Sequence, residues 1–267
     1  MVMNFLGGGA AINVFCRQNN INLLVADTGV NFDFEPTEQL LDLKVRKGTR
    51  NFAVEPAMTI EECQAAMNNG ATIIEKLHKE GTNIVGFGEM GIGNTTAATA
   101  LLCKFGGFSA QEATGAGTGL DAEGIQHKAQ VIEKALQLHH AINKPLDVLA
   151  TFGGYEIATI CGAILKAAEL KMIILSDGFI ATSALIAAHA FNKNVTDYCL
   201  FAHKSNEQGH KLMLQHLKAE PILHLGMRLG EGTGSAVAYP IVQSAVNFMN
   251  EMSSFADAGV SNKEEEM

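Results

Sequence analysis

Short runs of apolar and β-branched residues alternate along the chain with longer stretches in which apolar positions recur every three or four residues. The clearest short runs are Asn22-Leu23-Leu24-Val25-Ala26, Asn83-Ile84-Val85-Gly86-Phe87, Leu146-Asp147-Val148-Leu149-Ala150 and Met172-Ile173-Ile174-Leu175, and each reads as a strand. They are brief and continuously apolar, which suits strands buried on both faces. Residues 59–79 read as a helix: Thr59 can cap it, Glu61 and Glu62 occupy its first turn, and Ala66, Ile73, Ile74 and Leu77 keep helical spacing. Helices are expected likewise over 123–142, 155–170, 183–191 and 206–217. Strands of this kind separated by helices predict an α/β fold, with a parallel sheet covered by helices on both faces. One domain over 1–267 is expected, with its sheet core in 19–205. Residues 1–18 and 206–267 would supply a helical periphery and a site loop, and 256–267 a frayed end rich in glutamate.

Charge narrows the possible partners. Lys plus Arg number 19 and Asp plus Glu 28, a net charge of −9 over 267 residues. A sequence-independent grip on nucleic acid needs a basic surface to neutralise phosphates, so DNA and RNA are excluded as first expectations. No apolar stretch reaches the roughly 18 to 20 residues of a membrane span, and Met1-Val2-Met3-Asn4-Phe5 has no basic region leading into an apolar run. The expectation is a cytoplasmic protein with no membrane partner. Cys16, Cys63, Cys103, Cys161 and Cys199 are odd in number, widely spaced and free of Cys-x-x-Cys pairs, so they read as core residues.

Candidate chemistry lies in the glycine loops. Gly86-Phe87-Gly88-Glu89-Met90-Gly91-Ile92-Gly93-Asn94-Thr95-Thr96 follows a strand and opens an Ala-rich helix, where free amides and the helix dipole can receive an anion. Gly86-x-Gly88-x-x-Gly91 matches a dinucleotide fingerprint, but Glu89 would face the pyrophosphate. Read as a P-loop, the same segment carries Asn94 where the lysine belongs, which argues against nucleotide hydrolysis. A second loop, Thr114-Gly115-Ala116-Gly117-Thr118-Gly119-Leu120-Asp121, leads to a helix bearing Lys128 and can cradle a monophosphate. By default the charged face of that helix, Lys128 included, is solvated surface, so the two readings of Lys128 compete. A third loop, Leu229-Gly230-Glu231-Gly232-Thr233-Gly234, sets one long acid between bare glycines at the foot of an apolar helix, leaving space for a ligand and supplying a candidate base. His203, His210 and His216 fall on a strand end and the next helix, poorly spaced for zinc, and no metal is assigned.

Taken in order, these strings resemble the nicotinate-nucleotide:5,6-dimethylbenzimidazole phosphoribosyltransferase family. The matching pieces also include Asn4-Phe5-Leu6-Gly7-Gly8-Gly9-Ala10-Ala11-Ile12-Asn13, Phe152-Gly153-Gly154-Tyr155-Glu156-Ile157-Ala158 and Ser176-Asp177-Gly178-Phe179. The resemblance implies transfer of ribose phosphate from nicotinate mononucleotide to dimethylbenzimidazole or a related base, giving α-ribazole phosphate and nicotinate for the lower loop of cobalamin. It implies Glu231 as the catalytic base and Glu89 as a second active-site acid. Gly91, Gly117, Thr118, Gly119, Lys128, Asp177, Gly178 and Ser205 match the phosphoribosyl pocket, and Met227, Leu229 and Gly230 the base site. It also implies no cofactor, a homodimer, and a small helical subdomain built from the chain ends. The resemblance further implies an amino-terminal region in family members, with an Asp-His-Gly-Val segment and a glutamine-bearing helix that closes over the base, and this sequence would then begin at what looks like the far end of that helix. Two other readings stay open: a non-catalytic nucleotide- or base-binding homologue, and, from Gly86-x-Gly88-x-x-Gly91, a dinucleotide-dependent oxidoreductase.

Overall fold

The computed structural model describes residues 1–117 and 119–260. In chain order the elements are α1 (Val2–Leu6), α2 (Ala11–Gln18), β1 (Val25–Asp27), β2 (Leu40–Asp42), α3 (Ile60–Lys79), β3 (Ile84–Gly86), α4 (Asn94–Gly106), α5 (Ala110–Ala113) and α6 (Ala122–Leu138). There follow α7 (Pro145–Phe152), α8 (Tyr155–Glu169), β4 (Ile173–Ser176), α9 (Phe179–Phe191), β5 (Cys199–His203), α10 (Gln208–Leu217), β6 (Pro221–Leu223) and α11 (Thr233–Glu251).

The main sheet is parallel throughout, in the order β3-β4-β5-β6, with Val85 opposite Ile174, Leu175 opposite Leu200 and His203 opposite Leu223. Because spatial order follows chain order, right-handed crossovers put the connecting helices on one face. The other face is taken by α11, whose Ser235 hydroxyl donates to the Leu175 carbonyl at 3.0 Å. Parallel strands flanked by helices are thus the α/β arrangement expected.

The individual elements differ from expectation in instructive ways. The run at 22–26 supplies β1, which pairs only with β2 in a separate two-stranded parallel ribbon, and Leu23 and Leu24 are exposed. The strand expected at 146–150 is instead the helix α7: Pro145 sits at its first turn, Asp147 follows, and Val148 to Phe152 are buried all round. A helix buried on every side loses its polar face and reads like a core strand. The helix expected at 183–191 starts earlier, at Phe179, directly behind Gly178. Thr59 does cap α3, its hydroxyl accepting from the Glu62 amide at 3.1 Å while the Glu62 carboxylate accepts from Thr59 N at 2.8 Å.

The core lies between α3, α8, α9 and the sheet. Helices α3 and α8 cross at two glycines: a Cβ on Gly70 would fall 1.9 Å from the Thr159 carbonyl oxygen, and one on Gly162 would fall 2.0 Å from that of Met67. Cys16, Cys63, Cys103 and Cys161 are buried, Cys199 is half-buried, and all are free. Burial pushes the thiols of Cys63, Cys103 and Cys199 up to about 12, as unreactive core residues require. The chain ends form a smaller cluster in which Ala10, Ile12 and Cys16 pack on Ala236, bordered by Phe5, Phe15 and Ile21. No described helix is long and apolar enough to cross a membrane.

Candidate active site

Ligands in parallel α/β sheets collect outside the carboxyl ends of the strands. Here those ends carry Phe87-Gly88-Glu89 after β3, Asp177-Gly178 after β4, Lys204-Ser205 after β5 and Met227 to Glu231 beyond β6. Three corners are built there.

The first joins two acidic loops. A Cβ on Gly88 would lie 2.2 Å from the carbonyl carbon and oxygen of Glu231, so the loops meet backbone to backbone. The Glu231 amide donates to the Glu89 carbonyl at 3.3 Å. Gly230, Glu231 and Gly232 all have positive φ, at 76°, 62° and 82°, which is costly for a residue with a side chain. Glu231 is half-buried, and its Oε2 accepts the Ile12 amide at 3.0 Å. Across the loop contact, Glu89 Oε2 accepts the Gly91 amide at 2.9 Å and also the Asn94 side-chain amide. The same Asn94 nitrogen donates to Glu156 Oε1 at 3.0 Å. Burial raises the Glu89 carboxyl above its ordinary range, the Gly91 and Asn94 donors oppose that rise, and the charge of Glu156 adds to it.

The second corner is cationic. Lys128 is buried, contrary to the default of a solvated face, and its ammonium donates to Thr95 Oγ1 at 2.8 Å. Gly117, at φ +57, lies against both: a Cβ there would be 3.2 Å from Thr95 Oγ1 and 3.7 Å from Lys128 Nζ. The Arg228 guanidinium donates to the Gly117 carbonyl at 3.3 Å and ties the loop after β6 to this corner. Burial lowers the Lys128 ammonium, with Glu207 acting the other way. Gly119 is exposed, and Thr118 lies outside the described residues.

The third corner is neutral and deep. Asp177 is 4% exposed, and its Oδ1 accepts the Ser235 amide at 3.1 Å, so it anchors the start of α11. Burial pushes this carboxyl to about 7 despite the Ser235, Gly178 and Gly234 amides, and the Glu89 charge adds to the rise. His203 Nε2 lies 3.7 Å from Asp177 Oδ1, and burial lowers the His203 ring. Ser205 is buried, its amide donating to His210 Nδ1 at 2.9 Å. His210 Nε2 in turn meets Thr182 Oγ1 at 3.1 Å, and Thr182 meets Ser176 at 3.1 Å. Both His210 nitrogens are therefore engaged within the protein, while the His216 ring packs 6.1 Å from that of His189. Among the described residues, no three His, Cys, Asp or Glu side chains gather as metal ligands.

Thus Glu89, Gly91, Gly230 and Glu231 come together, as do Gly117 with Lys128, and Asp177 with Gly178 and Ser205. Met227 joins through its carbonyl, which accepts the Asn206 amide at 2.9 Å, whereas the Leu229 side chain is exposed. Sequence reasoning gives no site role to Thr95 or Arg228. Asn94 figures there only as a missing lysine, Glu156 only as part of a matching string, and His203 and His210 only as poorly spaced zinc ligands. The dinucleotide reading of Gly86-x-Gly88-x-x-Gly91 fails sterically, because Gly86 lies in β3 against Ser235 and Gly88 is filled by the Glu231 peptide.

A family model described as phosphoribosyltransferase matches residues 1–260. The nicotinate-nucleotide–dimethylbenzimidazole phosphoribosyltransferase of Janthinobacterium sp. (strain Marseille) is 54% identical over 264 residues, covering 98% of this chain and 76% of the relative. That of Dechloromonas aromatica (strain RCB) is 52% identical, covering 99% and 77%. The crystal structure of CobT from Thermus thermophilus superposes with a TM-score of 0.94 at 38% identity, covering 98% of this chain and 78% of that one. Matched over nearly its whole length by these relatives and that model, the chain belongs to the nicotinate-nucleotide–dimethylbenzimidazole phosphoribosyltransferase family.

Proposed function

We propose that this chain transfers the phosphoribosyl group of nicotinate mononucleotide to 5,6-dimethylbenzimidazole, releasing nicotinate and forming α-ribazole 5'-phosphate for cobalamin biosynthesis. The observation that carries the reading is the meeting of the Glu89 and Glu231 loops, with a buried lysine beside a glycine turn in the same cluster of strand ends. The carbon–nitrogen bond between ribose C1' and the pyridinium breaks, and its electron pair returns to the ring nitrogen. Nicotinate therefore leaves without a general acid. The basic nitrogen of the benzimidazole attacks C1' from the opposite face, and its N–H proton passes to Glu231. Such a step is accelerated by positioning and one base.

Lys128, Thr95 and the Gly117 turn suit the phosphate, with Gly91, Gly119, Gly178 and Ser205 lining the ribose phosphate; Thr118, assigned to the same pocket by the resemblance, lies outside the described residues. A buried ammonium whose partner is a neutral hydroxyl favours an incoming dianion. Asp177, which burial keeps protonated up to about 7, suits a ribose hydroxyl better than a phosphate. Glu89 would face the positive charge that develops on the ribose, and Met227, Leu229 and Gly230 would border the base. The chain would act as one domain and as a homodimer, for which the exposed apolar face of α11 at Ile241, Val246, Phe248 and Met249 is available. Its free cysteines fit a reducing, cytoplasmic location.

Incubation with nicotinate mononucleotide and dimethylbenzimidazole, followed by chromatography against a denatured control, tests the reading. Equimolar nicotinate and α-ribazole phosphate are expected. Absence of both, with the mononucleotide still bound, would favour a non-catalytic binding homologue.

A further inference from the structure

Glu89 does not stand alone. Its Oε2 shares one donor, the Asn94 side-chain nitrogen, with the carboxylate of Glu156, which reaches in from the first turn of α8. The amide has two hydrogens, and each is committed to a different acid. Two glycines keep the space for this arrangement. A Cβ on Gly91 would fall 2.3 Å from Asn94 Nδ2 and 2.9 Å from Glu156 Oε1, and one on Gly154 would fall 2.6 Å from Glu156 Oε2. Asn94 itself is only 9% exposed. With Oε2 held by Gly91 and Asn94, the orientation of Glu89 Oε1 is fixed on the side of Gly230, where a Cβ would lie 3.8 Å from it.

We propose that Asn94 and Glu156 are positioning residues for Glu89, the shared amide fixing which carboxylate oxygen faces the cleft. The Glu156 charge also makes Glu89 take up a proton more readily. The charged and polar groups that bear on Glu89 come from four elements. They are Gly91 and Asn94 on its own loop and helix, Glu156 on α8, Asp177 after β4, and Glu231 on the loop before α11. The amides of Gly91 and Asn94 favour the charged form of Glu89, and the charges of Glu156 and Asp177 disfavour it when those groups are ionised. Glu156 is the acid joined to Glu89 through a single side chain, so its charge is the one whose removal leaves the geometry unchanged. Glutamine at 156 still offers an oxygen to Asn94. The inference rests on Glu89 belonging to the active site, but its test does not require turnover.

The experiment is a carboxyl-carbon NMR titration of the full chain labelled with ¹³C-glutamate, the Glu89 resonance being the one lost in Glu89→Gln. In Glu156→Gln its midpoint should fall by about one pH unit, the size expected for a like charge removed at close range. In Asn94→Ala it should rise, because a donor to the charged form is lost. An unchanged or raised midpoint in Glu156→Gln would overturn the proposal, and so would a fall in Asn94→Ala. Turnover of Glu89→Gln is read separately: a wild-type rate there removes Glu89 from the chemistry whatever the titration gives.

Discussion

The Glu231 carboxylate accepts the backbone amide of Ile12 across 219 positions of sequence, at 3.0 Å. That bond ties the amino-terminal helix α2 to the loop before α11, and the contact is backed by the apolar cluster of Ile12, Cys16 and Ala236. One carboxylate oxygen, Oε2, is thereby held against α2. The strained backbone at Glu231 is held in place by glycines on either side and by the Gly88 contact beneath it.

Lys128 should govern affinity for the phosphate-bearing substrate. Replacing it with methionine keeps the buried stem and removes the charge. KM for nicotinate mononucleotide is expected to rise about 10- to 100-fold, the worth of a charge-assisted hydrogen bond, while kcat changes far less. Steady-state kinetics at saturating base checks this. A larger fall in kcat than rise in KM would place Lys128 elsewhere in the mechanism.

His210 should make the protein acid-sensitive. It accepts from Ser205, so it is neutral, with its proton on Nε2 toward Thr182. Burial, with a contribution from His203, holds it down to about 3, whereas in the unfolded chain it binds a proton below about 6.5. Between those values protons favour the unfolded state, and stability falls as pH falls, by up to about 1.4 kcal/mol per unit. Asp177 has the opposite sign: its raised carboxyl stabilises at low pH, and that contribution is lost as pH rises toward 7. His210→Asn, which keeps an acceptor for Ser205, should therefore be less stable than wild type at pH 7 but lose less on going to pH 5. Urea midpoints at the two pH values measure the difference, and a gap that stays constant would contradict the neutral assignment.

Gly162→Ala should be a pure stability variant. Its Cβ would strike the Met67 carbonyl at 2.0 Å, and backbone cannot step aside as a side chain can. A loss of about 3 kcal/mol is expected, typical of overpacking in a tight core. Denaturant unfolding checks it, with substrate KM unchanged at a temperature where the variant stays folded.

Much of this is legible in the sequence, and for physical reasons. The capped helix behind Thr59 announces itself because capping and amphipathicity are local. The acidic glycine loops stand out because glycine clusters mark backbone that must pass close to something, as Gly88 does against Glu231. Helix α7 reads as a strand because full burial erases the periodicity that separates the two, although Pro145 is the available signal. The separate β1-β2 ribbon is not legible, since which strands pair is a long-range fact. The roles of Asn94, Glu156 and His210 are hidden for the same reason. Their importance lies in partners up to 62 positions away, as between Asn94 and Glu156, which no local spacing encodes.

Glu231 as the proton acceptor stands or falls on the turnover number of Glu231→Gln. Glutamine preserves an oxygen for the Ile12 amide and removes only the ability to accept a proton. With nicotinate mononucleotide and dimethylbenzimidazole both saturating, kcat should fall by about 10²- to 10⁴-fold while the mononucleotide binds as before. A kcat within about threefold of wild type would show that Glu231 is not the base, because a lost general base cannot be that silent.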